Sequence, residues 1–162
     1  MFDQVSVIGC GLIGSSVLRK LKKNGSVKKL ITYDNDKSVV EIIKKEDISD
    51  QIASSPSEAV KNSDLVLIST PLSSFEPVIN SIKNNLKPGS ILTDTCSVKK
   101  EVNQIVKKIN LKNSSWIPGH PVAGTENSGP RAGFAELFRD RWTILTPDKG
   151  VKDSDIKKIS LF

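Results

Sequence analysis

Aromatic residues make up only 5% of this 162-residue chain, with one tyrosine, two tryptophans and five phenylalanines. A basic surface interleaved with stacking aromatics, the arrangement that grips single-stranded nucleic acid, therefore has little material here. The positive excess does not change this. Lys and Arg number 24 against 18 Asp and Glu, a net charge of +6, and the cations are 20 lysines to 4 arginines scattered in pairs over helical stretches. They read as a solvated surface whose field favours small anions, with no nucleic-acid partner expected. Cysteine is scarce too: Cys10 and Cys96 fall in unrelated stretches with no CxxC spacing, which argues against a disulfide framework and a metal site. No run approaches the roughly 18 apolar residues of a membrane span. Met1-Phe2-Asp3-Gln4 enters a strand pattern with no charged and apolar leader ahead of it, so a cytoplasmic protein without membrane contact is expected.

What is present is the balance of an ordinary globular domain, 37% hydrophobic and 26% charged, and the length suits one core spanning residues 1–162. Val5-Ser6-Val7-Ile8 is a short β-branched run that passes into Gly9-Cys10-Gly11-Leu12-Ile13-Gly14. An apolar stripe at Ile13, Val17, Leu18 and Leu21 then carries helical spacing. A second strand is expected at Leu30–Tyr33, a helix capped by Asp36 with Val39, Val40 and Ile43 inward, and a third strand near Gln51–Ala53. Ser55-Pro56-Ser57-Glu58 is a capping box, Leu65–Ser69 a nearly continuous apolar strand, and Ser73-Ser74-Phe75-Glu76 a second box. The second box opens a helix burying Phe75, Val78, Ile79, Ile82 and Leu86, stopped by Pro88-Gly89. A fifth strand (Ile91–Asp94), a helix with Val98, Val102, Ile105, Val106 and Ile109 on one face, and a sixth strand at Trp116-Ile117 follow. Beyond them come a short helix over Phe134–Phe138, a seventh strand over Trp142–Thr146 and a last helix capped by Asp153. Strands alternating with helices throughout predict an α/β fold, a Rossmann-like, doubly wound, mostly parallel sheet.

The glycine motif gains meaning from its place between a strand and a helix, with Asp34 twenty positions past its last glycine. Gly9 permits the tight turn, Gly11 lets backbone approach a pyrophosphate, and Gly14 lets helix and strand pack closely. Leu12 and Ile13 lie at the helix N-terminus that favours phosphate. Without a ligand the same motif is only a glycine turn. Asp34 is placed to accept hydrogen bonds from the adenosine ribose, which favours NAD over NADP, or else it merely starts a turn. No arginine stands in Asn35-Asp36-Lys37 to take a 2′-phosphate.

The only histidine, His120, lies in Pro118–Gly129, a stretch rich in proline and glycine and read as a loop. In the strand order 3-2-1-4-5-6, the fifth and sixth strands are neighbours, so Ser97 and His120 come to the same carboxyl edge, where a nicotinamide would lie. Ser97 is either a partner of imidazole or nicotinamide, or the N-cap of the helix from Val98. Ser69-Thr70-Pro71 lines the cofactor or ends a strand. Thr125-Glu126 gates a substrate or turns a loop.

Asp94-Thr95-Cys96-Ser97-Val98-Lys99, followed by Gly119-His120-Pro121-Val122-Ala123-Gly124-Thr125-Glu126-Asn127-Ser128-Gly129 and by Leu137-Phe138 before Trp142–Pro147, resembles the prephenate and arogenate dehydrogenase family of tyrosine biosynthesis. The resemblance covers the nucleotide-binding domain in order. It implies NAD-dependent oxidative decarboxylation of prephenate or arogenate. His120 would take the proton of the ring hydroxyl as hydride leaves the same carbon, and loss of CO2 would aromatise the ring. It further implies that Ser97 orients His120 and the nicotinamide, and that Thr125 and Glu126 belong to the substrate entrance. The resemblance also implies a helical dimerisation domain that completes the site and is expected to lie outside these 162 residues; Arg131, Arg139 and Arg141 receive no role. A non-catalytic NAD-binding module and another hydroxyacid dehydrogenase of the same fold are the competing readings.

Overall fold

The computed structural model describes residues 2–162; Met1, where the expected leaderless start begins, lies outside them. Six strands, β1 (Gln4–Ile8), β2 (Lys29–Tyr33), β3 (Gln51–Ile52), β4 (Leu65–Ile68), β5 (Ile91–Asp94) and β6 (Ser115–Trp116), form one sheet in the order β3-β2-β1-β4-β5-β6. Every pairing in it is parallel. The expected strand order holds, and β4 is buried at all four positions, as an apolar strand covered on both faces must be.

Alternation along the strands divides the core in two. Val5, Val7, Leu65, Leu67 and Ile91 meet Leu18 and Leu21 of α1 (Leu12–Asn24), Ile43 of α2 (Lys37–Glu46) and Ile159 of α6 (Asp153–Ser160). On the other face Ile8, Val66, Ile68 and Leu92 meet Val60, just past α3 (Pro56–Ala59), then Phe75, Ile79 and Ile82 of α4 (Leu72–Ile82), and Val102 and Val106 of α5 (Lys99–Ile109). Phe75 also packs edge-on against Trp116, with ring centroids 5.9 Å apart. Helices on both faces of a parallel sheet make the doubly wound architecture. Ser6, buried on β1, is satisfied by the Ala59 carbonyl at 2.5 Å and by Ser63 Oγ at 2.6 Å, so its hydroxyl carries no desolvation penalty into the core.

Several local expectations are corrected. Residues Gly119–Pro121 are not loop but a strand, β7, antiparallel to β8 (Thr143–Leu145) in a separate two-stranded sheet; His120 sits opposite Ile144. Proline and glycine tolerate this because the strand is three residues long and pairs on one side only. The second capping box does not act: α4 begins at Leu72 after Pro71, with no side-chain cap, and ends at Ile82, six residues before Pro88. Leu86 still packs on the core from the turn that follows. Ser97 is not an N-cap either, since Val98 holds that position without a side-chain bond and is 43% exposed. Likewise Lys152, not Asp153, precedes α6. The expected helix at Phe134–Phe138 is a series of turns after a single 3-10 turn at Pro130–Ala132, too short for an apolar face to organise.

The junction of β1 and α1 leaves no room for a side chain. Gly9 has φ +89, and a Cβ at Gly14 would stand 2.0 Å from the Gly9 carbonyl oxygen. Around Gly11 nothing lies within 4 Å of that position. Gly14→Ala is therefore expected to destabilise the domain by about 1–3 kcal/mol, while Gly11→Ala leaves it within about 0.5 kcal/mol. Urea unfolding of the two variants checks the contrast.

Candidate cofactor and active site

Gly11 is the N-cap of α1, in extended conformation and without a side-chain cap, and no acidic residue occupies the helix's first turn. Its first N–H groups and the positive end of the helix dipole are thus left for an anion. Gly9 is pinned by its N–H to the Tyr33 carbonyl at 2.9 Å and stacks over the Ser69 peptide, where a Cβ would meet the Ser69 carbonyl oxygen at 2.6 Å. The Asp34 carboxylate bridges the same corner. One oxygen accepts the Cys10 N–H at 2.7 Å and the other the Asp36 N–H at 2.9 Å, which leaves lone pairs on both for hydroxyl donors.

A cleft of about 340 Å³ opens here, lined by Gly9, Asp34, Asn35, Thr70, Pro71 and Val78, among others. Thr70 Oγ1 is buried there with no hydrogen-bond partner among the described residues. An orphaned hydroxyl, open space at Gly11 and a carboxylate with free lone pairs fit the adenosine and phosphate part of a dinucleotide. Of the sequence candidates, Gly9, Asp34, Thr70 and Pro71 line this cleft; Gly11, Leu12 and Gly14 belong to the adjoining start of α1, and Ile13 lines a separate cleft with Thr93, Asp94 and Gly119. Ser69 lies one step along the edge and its hydroxyl accepts from Thr95 Oγ1 at 3.1 Å.

The second part of the edge is organised by Asp94, the end of the fifth strand and the first residue of the motif that carries the resemblance, to which the sequence assigned no role of its own. Asp94 has a fully buried side chain. Its Oδ2 accepts the Cys96 N–H at 3.0 Å and its Oδ1 the Gly119 N–H at 3.2 Å. One carboxylate thereby ties down the residue before Ser97 and the residue before His120, which is how the two candidates come to one edge. Among the described residues no hydrogen bond joins Ser97 to His120. Ser97, relieved of capping, is exposed, and His120 is half-buried. Gly119 has no alternative at its position, because a Cβ would stand 2.9 Å from both the Asp94 carbonyl oxygen and Thr93 Oγ1. An acid closing the otherwise apolar Ile91-Leu92-Thr93 was the available signal, since a buried carboxylate requires partners.

Cys96 is half-buried next to Asp94, and burial first, then the Asp94 charge, pushes its thiol up to about 11. Burial pushes Cys10 up to about 12. Both are free thiols, and neither is a nucleophile at neutral pH. Thr125 and Glu126 stand exposed on the segment between β7 and the Pro130 turn, where Thr125 Oγ1 accepts the Asn127 N–H at 3.2 Å. That segment is anchored at its far end on α1: Phe134 N–H donates to Ser16 Oγ at 3.1 Å and Arg19 donates to the Pro130 carbonyl at 3.1 Å.

The parallel sheet, the glycine corner and the adjoining edge define a nucleotide-binding α/β domain of the doubly wound type. Residues 17–162 match the family described as prephenate dehydrogenase, nucleotide-binding domain, and the chain belongs to that family. The cyclohexadienyl dehydrogenase of Zymomonas mobilis is 39% identical over 148 residues, covering 91% of this chain and 50% of that protein. The prephenate dehydrogenase of Bacillus subtilis is 29% identical over 161 residues, 98% of this chain and 43% of that one. Among solved structures, Synechocystis arogenate dehydrogenase superposes with a TM-score of 0.88 at 25% identity, over 98% of this chain and 55% of that one. The Aquifex aeolicus prephenate dehydrogenase, in complex with hydroxyphenyl propionate and NAD+, superposes at 0.87 and 26% identity, over 99% and 56%. The chain spans about half the length of the curated relatives it matches.

Asp34→Ser removes the charge that opposes a 2′-phosphate and releases the Cys10 N–H. The ratio of NADP+ to NAD+ affinity is expected to rise by about tenfold or more, measured by calorimetric titration with each dinucleotide; an unchanged ratio means Asp34 does not read the ribose.

Proposed function

We propose that this chain, residues 1–162, is the NAD-binding domain of a prephenate or arogenate dehydrogenase of tyrosine biosynthesis. The observation that carries this is the single Asp94 carboxylate holding the segments of Ser97 and His120 together, beside the glycine corner at the carboxyl edge of the sheet. Bound NAD+ supplies a hydride acceptor at its nicotinamide. Gly9, Gly11, Leu12, Ile13 and Gly14 hold the pyrophosphate against the start of α1, Asp34 takes the adenosine ribose, and Ser69, Thr70 and Pro71 follow the cofactor along the edge.

His120 then accepts the proton of the substrate's ring hydroxyl at an imidazole nitrogen while the C–H bond of the same carbon gives up its hydride. The carbonyl that forms accepts a hydrogen bond from Ser97, and release of CO2 leaves the aromatic ring. Imidazole suits the task because its ordinary pKa lies near working pH. Thr125 and Glu126, exposed on a segment tied at one end to β7 and at the other to α1, border the substrate entrance.

The whole enzyme is proposed to be a homodimer completed by a further helical domain. Ile144 of β8 and Val122 and Trp142, which flank the two strands, leave an apolar surface there, with Trp142 82% exposed, and this supports a covering partner. The two free thiols fit a reducing compartment, the cytoplasm.

The reading is tested with the full polypeptide by following NADH formation with prephenate, arogenate and a generic 3-hydroxyacid in parallel. Turnover restricted to a cyclohexadienyl substrate is expected, and none with any of them would contradict it. His120→Asn is expected to lower kcat by about 10² or more and to leave NAD+ affinity within about threefold; if NAD+ affinity falls as steeply as kcat, His120 is structural.

A further inference from the structure

Gly119 lies in β7 with a peculiar demand. The Thr146 N–H donates to the Pro118 carbonyl at 3.0 Å and the Val122 N–H to the Trp142 carbonyl at 2.8 Å, with His120 facing Ile144 between them. In an antiparallel pair such positions alternate, so the backbone groups of His120 face β8 while the N–H and C=O of Gly119 face away from it. Those two groups have no ladder partner. The N–H donates to Asp94 Oδ1 at 3.2 Å, and the carbonyl oxygen accepts from Lys99 Nζ at 2.5 Å. Lys99 Nζ also lies 2.5 Å from Asp94 Oδ2, with the two side chains 18% and 0% exposed.

The Gly119 carbonyl belongs to the peptide that leads into His120. That C=O and the His120 N–H lie in one planar peptide, so β8 meets its N–H side while Lys99 Nζ meets its carbonyl side, and the two together set the plane from which the His120 Cα and imidazole project. Lys99 stands at the first position of α5, reached from β5 through Thr95, Cys96, Ser97 and Val98. The ammonium group thus closes a triangle of strand end, helix start and β7. Either charge alone would be stranded, since a buried carboxylate or ammonium without its partner is strongly disfavoured.

We propose that Lys99 and Asp94 form a positioning unit for His120, the ammonium and carboxylate together clamping the Gly119 peptide so that the imidazole is held in one orientation at the sheet edge. This rests on the reading of His120 as the group that takes the substrate proton. Neither Lys99 nor Asp94 touches the reacting atoms in this scheme.

The test exploits the single histidine, whose imidazole gives one Cε1–Hε1 correlation in an NMR spectrum without assignment. The correlation, the exchange rate of the Gly119 amide and NAD+ affinity are measured for the unsubstituted protein, for Lys99→Met and for the double variant Asp94→Leu/Lys99→Met. The double variant leaves no unpaired charge, so it remains informative if Lys99→Met does not fold. The expected result is Gly119 exchange faster by about tenfold or more and a displaced or broadened imidazole correlation, with NAD+ affinity within about threefold. In the turnover assay kcat falls by about tenfold or more at unchanged KM for NAD+. An unaltered imidazole correlation and unaltered Gly119 exchange in the double variant overturn the proposal. So does a loss of NAD+ affinity in step with the change at His120, because the pair is then a general strut. Absence of turnover in the unsubstituted protein counts against the dehydrogenase reading and leaves the NMR result to decide on the pair.

Discussion

The close approach of α1 to β1 is the constraint on which the rest of the molecule depends. With no Cβ at Gly14, the helix comes within contact of the Gly9 carbonyl, where a methyl group would stand 2.0 Å away. This places the N-terminus of α1 at the centre of the sheet's carboxyl edge, between β2 and β4, the two strands that flank β1. Asp34 at the end of β2 and Thr70 after β4 then fall on either side of the glycine corner. The cleft is a consequence of strand order and one missing methyl group, and its polar atoms follow from which residues end each strand.

A different kind of constraint works farther along the edge. Geometry of glycines makes room in the first half, whereas charge makes order in the second. Asp94 is removed from water at the end of β5 and must find donors, and the donors within reach are the backbone of Cys96, the backbone of Gly119 and the ammonium of Lys99. Satisfying that one carboxylate draws the start of α5 and the start of β7 together. One carboxylate thereby anchors the residue before Ser97 and the residue before His120, and among the described residues no hydrogen bond joins Ser97 to His120.

Much of this was legible from the residues. Alternation of apolar runs and helical stripes predicted the α/β class and the strand order, because a strand such as Leu65–Ile68 with no polar position has to be covered on both faces. Helix starts were legible where the cap side chain makes its bond, as at Asp36 and Ser55. They were misplaced at Ser73, Ser97 and Asp153, where backbone geometry begins the helix without a side-chain cap. His120 in a strand was missed because its pairing partner, Ile144, lies 24 residues away and the three-residue strand has no periodicity to read. The Asp94–Lys99 pair was missed for a related reason: a surface lysine and a buried one look alike in a chain with 20 of them, and only the tertiary burial of Asp94 distinguishes Lys99.

The central claim is that the edge built by Gly9–Gly14 and by Asp94 brings the nicotinamide of a bound dinucleotide to His120. The most direct measurement is a nuclear Overhauser experiment on the domain with NAD+, reading magnetisation transfer between the nicotinamide C4 proton and the one imidazole in the protein. The account predicts a direct cross-peak between them, with the adenine protons showing transfer to Val78 and none to His120. Binding of NAD+ with no transfer to the imidazole, or with the adenine beside it, would contradict the account.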